Sequence, residues 1–241
     1  MSLLGRGVVA IWHGLRDDGR AGFYEWHNSE HMPERAAIHG FLRGRRYQDR
    51  QDPPALLTLY ETLDTNVLTS REYLDRLNAP TPWTVASVRA FTGLSRALAE
   101  VRMSHSTGDG AVVRVLEFDV ADADAASVGD RLVRRLQSMR LVDGVVGVHL
   151  CATQRAASAI PSVEKKDQVL VAPAGWTVLI EFGADLQQVG PDHPMHSDVL
   201  GAEAAISGLR SKVFHLQYQV LGVELTRALA APDAGPQPTR R

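Results

Sequence analysis

Between residues 23 and 34 the chain reads Phe-Tyr-Glu-Trp-His-Asn-Ser-Glu-His-Met-Pro-Glu. This stretch concentrates groups able to move protons. On a continuous helix His27, Glu30, His31 and Glu34 stand at i, i+3, i+4 and i+7 and share one face. Phe23 lies one turn before His27 on the same face. Two imidazoles and two carboxylates beside an aromatic ring suit a proton relay. A carboxylate raises the pKa of a neighbouring histidine and fixes its tautomer, and a base poised near neutral pH is what α-proton abstraction or cyclisation needs. The expected catalytic set is therefore His31, with His27 and Glu30 beside it.

The same spacing supports blander readings. A helix face of His and Glu is often simply solvated. His27 and His31 also have the i, i+4 spacing of a helical two-histidine metal site, to which Glu30 or Glu34 would add an oxygen ligand. The order H-N-S-E-H differs from H-E-x-x-H, so the general-base glutamate of that metalloprotease motif is displaced. Nothing else in the sequence marks a haem pocket. The reading carried forward has no metal and no cofactor.

Further pocket candidates come from strands. Trp12 and His13 end the first strand, and Arg46 and Tyr47 sit on the second. Side chains alternate faces along a strand, so one member of each pair should face the helices. An arginine there would bind a carboxylate or enolate bidentately. Trp12, His13, Arg46, Tyr60 and Trp83 are the expected substrate-binding residues. His149 and His215 read as packing or barrel-interface residues, and His193 and His196 as part of a polar loop.

Composition narrows the class. With 44% hydrophobic and 22% charged residues the chain can bury a core, and its net charge of −2 gives no basic stripe for nucleic acid. Cys151 is the only cysteine, which excludes an intramolecular disulfide and cysteine-based zinc sites. No apolar run approaches the roughly 20 residues that span a bilayer, and the N-terminus lacks the pattern of a signal peptide. A cytoplasmic protein without a membrane segment is expected. There is no phosphate-binding Gly-rich loop and no G-x-S-x-G elbow.

The elements that must position these residues follow one plan twice. GVVAIWH is a strand. Residues 20–38 are helical, in two pieces meeting near His31 and Met32 because Pro33 breaks a helix interior. FLRGRRYQ and LLTLYETL are strands, 68–78 and 82–90 are helical, and FTGLSRALAEVR is a strand. This β-α-β-β-α-β order is the ferredoxin-like plan. The pattern restarts with AVVRVLEFDV, a helix through DADAASVGDRLVRRLQSMRLV, then VVGVHLCAT and WTVLIEFG. A helix over 197–210 and a strand over 212–221 complete it. His39-Gly40-Phe41 and Asp143-Gly144-Val145 hold the same slot in each half. The expected organisation is an α+β fold of two ferredoxin-like repeats whose antiparallel sheets pack as an intramolecular barrel. The divisions are 1–103, a linker at 104–110, a second repeat at 111–225 and a disordered tail at 226–241.

Tyr24, Trp26, His31 and Pro33, followed by Gly40-Phe41 and then Arg45-Arg46-Tyr47, resemble the signature of EthD-like and related proteins of the dimeric α/β-barrel superfamily. The resemblance covers about residues 8–63. It implies His31 as the key histidine and a cofactor-free isomerase, cyclase, lyase or oxygenase acting on a small organic or aromatic substrate. The alternative is a non-catalytic small-molecule binding or oligomerisation module. The superfamily usually forms its barrel by dimerisation, which implies a pseudo-dimer within this one chain; the expected partners are a small-molecule substrate and, as an option, a second copy in a homodimer.

Overall fold

A computed structural model describes residues 3–52, 55–166, 168–183, 193–194, 198–201, 203–223 and 227. His196 and all of 226–241 except Arg227 lie outside these. The first half contains β1 (Gly7–Leu15), α1 (Arg20–Trp26), α2 (Met32–Ala36), β2 (Phe41–Gln48), β3 (Leu56–Thr62), α3 (Arg71–Asn78), α4 (Pro82–Val88) and β4 (Phe91–Ser106). The second contains β5 (Val112–Val120), α5 (Ala125–Gln137), β6 (Val145–Thr153), α6 (Arg155–Ser158), β7 (Leu170–Val171), β8 (Trp176–Phe182) and β9 (Ile206–Leu221).

The strands follow the order β1-β3-β2-β9-β5-β8-β6-β4, and an additional β1–β4 pairing closes the ring. All the ring pairings are antiparallel, giving an α+β fold with a closed eight-stranded barrel. The halves meet edge to edge, through β2–β9 and β4–β6, so no ring strand is left with an open flank. Exposed strand edges recruit other strands, and here each half supplies what the other lacks within one chain.

The barrel interior has two parts. Val8, Ala10, Leu57, Leu59, Val113, Val115, Leu179 and Phe214 form an apolar cluster. At one end lies a buried ion network. Arg43 bonds both oxygens of Glu61 at 2.9 and 3.0 Å, and Arg45 reaches Glu61 at 3.0 Å and Glu181 at 2.8 Å. Burial opposes the charge on Glu181, yet His149, Arg45 and the Gly110 amide hold its pKa down to about 2. A buried pair of this kind is costly to break because the survivor is left charged and unpaired.

Helices cover the outer face of the sheet. Ser70 and Thr81 cap α3 and α4, accepting from the amides of Tyr73 and Thr84. Gly40 and Gly144 turn into β2 and β6 with φ of 83° and 78°, a region glycine enters without a Cβ penalty.

Two sequence expectations need correction. β9 begins at Ile206, so the expected helix over 197–210 is absent among the described residues. Its Ala- and Leu-rich sequence has helix propensity, but Ile206 and Ser207 pair with Val120 and Asp119 of β5, and tertiary pairing overrides a weak local preference. Val199 and Leu200 instead drop into the second core. The 104–110 connection is also shorter than expected, because β4 continues through Ser106, with Ser104, His105 and Ser106 paired to β6.

Candidate functional site

The helical segment 20–36 is split by a π-helical turn over His27–His31. Its exit is marked by the Met32 amide donating to the His27 carbonyl five residues back. Pro33 has no N–H to give the Ser29 carbonyl, and a wider turn accommodates that loss. Such turns are frequent at functional sites. The turn separates groups that an ideal helix would place on one face. His27 and His31 point inward, 3% and 5% exposed, their rings stacked with centroids 5.5 Å apart.

The two glutamates turn elsewhere. Glu30 accepts from Thr81 Oγ1 at 2.5 Å and Thr84 Oγ1 at 3.3 Å. Glu34 accepts from Arg76 at 2.8 Å. The carboxylate nearest His31 is Glu164, from the β6–β8 connection of the other half, with Oε1 4.0 Å from Nε2. Glu164 is ion-paired with Arg35 of α2. Sequence reasoning missed it, since a residue so far along the chain carries no spacing signal.

His27, His31, Arg35 and Glu164 line a narrow cleft between the first-half helices and the sheet, with a cavity volume of about 40 Å³. His13, His27, His31, Thr58, Tyr60 and Arg96 supply the polar wall, with Ile11, Leu77, Val88, Phe91 and Leu94 as the apolar one. His13 stacks on Phe91 at 3.9 Å, and Phe23 stacks on His27 at 4.8 Å. His31 Nδ1, Thr58 Oγ1 and Tyr60 OH are buried with no hydrogen-bond partner among the described residues.

Of the expected binding residues, His13 and Tyr60 line this cleft. Arg46 stands behind it, its Nη1 3.0 Å from His27 Nδ1 and 2.7 Å from Asn28 Oδ1. Trp12 alternates to the other face, partly buried against the barrel cluster, and is not among the cleft residues. Trp83, 38% exposed, is outside the cleft too.

Burial holds all three imidazoles neutral. His13 falls to about 4, through desolvation first, opposed by its bond to the Gly14 carbonyl and assisted by Arg46. His27 lies well below its ordinary value through desolvation, then His31, Arg46 and His13. His31 does so through desolvation, then Arg35 and His13. Desolvation pushes the Tyr60 phenol upward, so it stays protonated. The cleft therefore offers neutral proton acceptors beside a protonated hydroxyl. Among the described residues no group of three or more His, Cys, Asp or Glu could hold a metal ion, and no helix is long and apolar enough to cross a membrane.

No family model and no curated protein matches the chain. Solved structures match by fold. A protein assigned as a monooxygenase from Lactobacillus acidophilus NCFM superposes with a TM-score of 0.58 at 10% identity, over 90% of this chain and 97% of its own. An anthrone oxidase-like protein gives 0.58 at 11%, over 93% and 97%. A protein assigned as a chlorite dismutase gives 0.53 at 10%, over 88% and 95%. At these identities the likeness defines the ferredoxin-like, dimeric α/β-barrel fold.

Proposed function

We propose that this protein is an enzyme acting on a small organic, aromatic substrate by cofactor-free acid–base chemistry, with His31 as the general base. One observation carries the reading. Three buried, neutral imidazoles converge on a cleft whose His31 Nδ1, Thr58 Oγ1 and Tyr60 OH have no partner among the described residues, and buried polar groups are rarely left so.

Isomerisation, cyclisation, elimination and cofactor-free oxygenation of an aromatic carbon acid can all begin by removing a proton from carbon or from a phenol. His31 takes that proton. Glu164, 4.0 Å from Nε2, stabilises the imidazolium that results. Tyr60 and Thr58 donate to the oxyanion that develops on the substrate. His27, stacked on His31 and held by Arg46, positions the base. Phe91, Val88 and Leu94 receive the apolar body of the substrate.

The test is deuterium exchange at carbon. The protein is incubated in D₂O with anthrone, which one structural neighbour's name suggests, and with cyclic 1,3-diketones, and exchange is followed by NMR. Catalysed exchange that disappears in His31→Ala is expected. No catalysed exchange with any compound, or full exchange by the variant, overturns the reading.

A further inference from the structure

The cleft holds two arginines, and they are not alike. Arg35 is ion-paired with Glu164. Arg96, on β4, is 8% exposed. Its partner among the described residues is the Tyr73 hydroxyl, which accepts from Nη2 at 2.8 Å, with the guanidinium 5.6 Å from that ring's centre. No carboxylate of the described residues is within ion-pair distance of it. A buried cation without a counter-ion is costly, and among the described residues the hydrogen bond of Arg96 is to Tyr73 alone.

Arg96 also stands at a junction. Together with Leu94 it lines both the histidine cleft and a neighbouring cleft walled by Ala159, Leu170, Val171 and Pro173. That second cleft is formed by the connection that also carries Glu164, and β7 lies parallel to β4 at Leu94 and Ser95. Its other arginine, Arg155, is already paired with Asp119 at 2.8 Å. One uncompensated positive charge therefore stands where the two apolar-walled spaces meet.

We infer that Arg96 receives the carboxylate of a monoanionic aromatic substrate, whose ring system lies toward His31. The inference rests on the proposed function and gives its substrate a charge. The guanidinium fork matches a carboxylate bidentately, and a single free cation favours a monoanion over phosphate. It also moves the carboxylate-binding role from Arg46, whose guanidinium is taken up by His27, Asn28 and Gln217.

The experiment is calorimetric titration with two matched pairs, benzoate against benzamide and 2-naphthoate against 2-naphthamide. The wild-type protein should bind each acid at least about tenfold more tightly than its amide, as expected for a hydrogen bond to a charged group. Arg96→Gln should abolish that preference, and Arg96→Lys, which keeps charge without the fork, should retain part of it. Arg96→Gln should melt no lower than the unliganded wild type, because it removes a buried charge without a partner. Equal binding of acid and amide, no binding of either pair, inorganic phosphate displacing naphthoate at lower concentration than naphthoate itself binds, or a preference that survives in Arg96→Gln overturns the inference. The wild-type comparison stands even if the variant fails to fold. His31→Ala should keep the preference while losing deuterium exchange, so failure of the base and failure of the anion site are read separately.

Discussion

The two halves place the same strands under very different cargo. In β1 Ile11 faces Thr58, and in β5 Leu116 faces Val178. Arg46 pairs with Thr58 in one half, and Leu150 pairs with Val178 in the other. These registers align His13 with Phe118, Thr58 with Val178, Tyr60 with Ile180 and Arg46 with Leu150. His13, Thr58, Tyr60 and Arg46 of the first half are thus each matched by a hydrocarbon in the second, whereas Arg96, paired with Ile11, is matched by Ser211, paired with Leu116. There Phe118, Val128, Leu132, Leu136, Val178, Ile180 and Phe182 form one closed core. Trp176 fits because Gly129 of α5 leaves room, since a Cβ there would lie 2.9 Å from the indole. The fold is therefore built equally well without polar groups under its helices. Their presence on one side costs desolvation, and departures of this kind concentrate at functional sites.

The largest test of the comparison is chemical. His31→Ala should lower the deuterium-exchange rate by roughly 10²–10⁴-fold, the usual contribution of a general acid–base residue, with little change in melting temperature because the lost ring packing is offset by removing a buried Nδ1 that has no partner among the described residues. In the second half the balance should reverse. Leu132→Ala opens a cavity in a filled core and should cost about 2–5 kcal/mol in denaturant unfolding, while exchange per folded molecule stays as in wild type. A His31→Ala protein that unfolds as readily as Leu132→Ala would erase the functional difference between the halves.

Acid separates them further. The imidazole of His13 titrates near 4 in the native protein against 6.5 as its ordinary value, and desolvation is the first cause. Between these pH values the unfolded chain binds a proton that the native protein refuses. Stability therefore falls as pH drops from about 6.5 to about 4, by about 3 kcal/mol for this residue. His27 and His31, lowered for the same reason, act in the same direction. His13→Phe copies the second half at this position. It should lose less stability than wild type between pH 7 and pH 4.5, measured by urea unfolding at both. An unchanged difference would mean that His13 binds its proton equally well in the native and unfolded protein.

Much of the strand plan is legible in the sequence because apolar β-branched runs and the paired Gly40 and Gly144 turns are local signals. The inward aim of His31 is partly legible, since Pro33 announces a broken helix beside it. The diversion of Glu30 to Thr81 and Thr84 is not, because it depends on how a π turn rotates one residue against its neighbours. Glu164 and Arg96 are illegible for a different reason. They reach the cleft through the β6–β8 connection and through the register of β4, and neither leaves a pattern in nearby residues. The strand at 206–210 is hidden by the Ala- and Glu-rich residues just before it, which favour helix, and β5 takes Ile206 and Ser207 as partners.

The smallest predicted effect tests the comparison at one atom. Thr58 and Val178 have nearly the same shape and occupy matched positions, but Thr58 Oγ1 is buried with no partner among the described residues. Replacing an unpaired buried hydroxyl by a methyl group of similar volume removes a desolvation penalty. Thr58→Val should therefore stabilise the unliganded protein by about 1 kcal/mol, seen as a higher urea midpoint with an unchanged slope. If the hydroxyl donates to the developing oxyanion, the same variant should exchange deuterium about tenfold more slowly. A more stable and slower protein would show that the first half keeps this hydroxyl for substrate at the expense of stability. A variant that is less stable and equally fast would place Thr58 in the packing of the sheet, alongside its counterpart Val178.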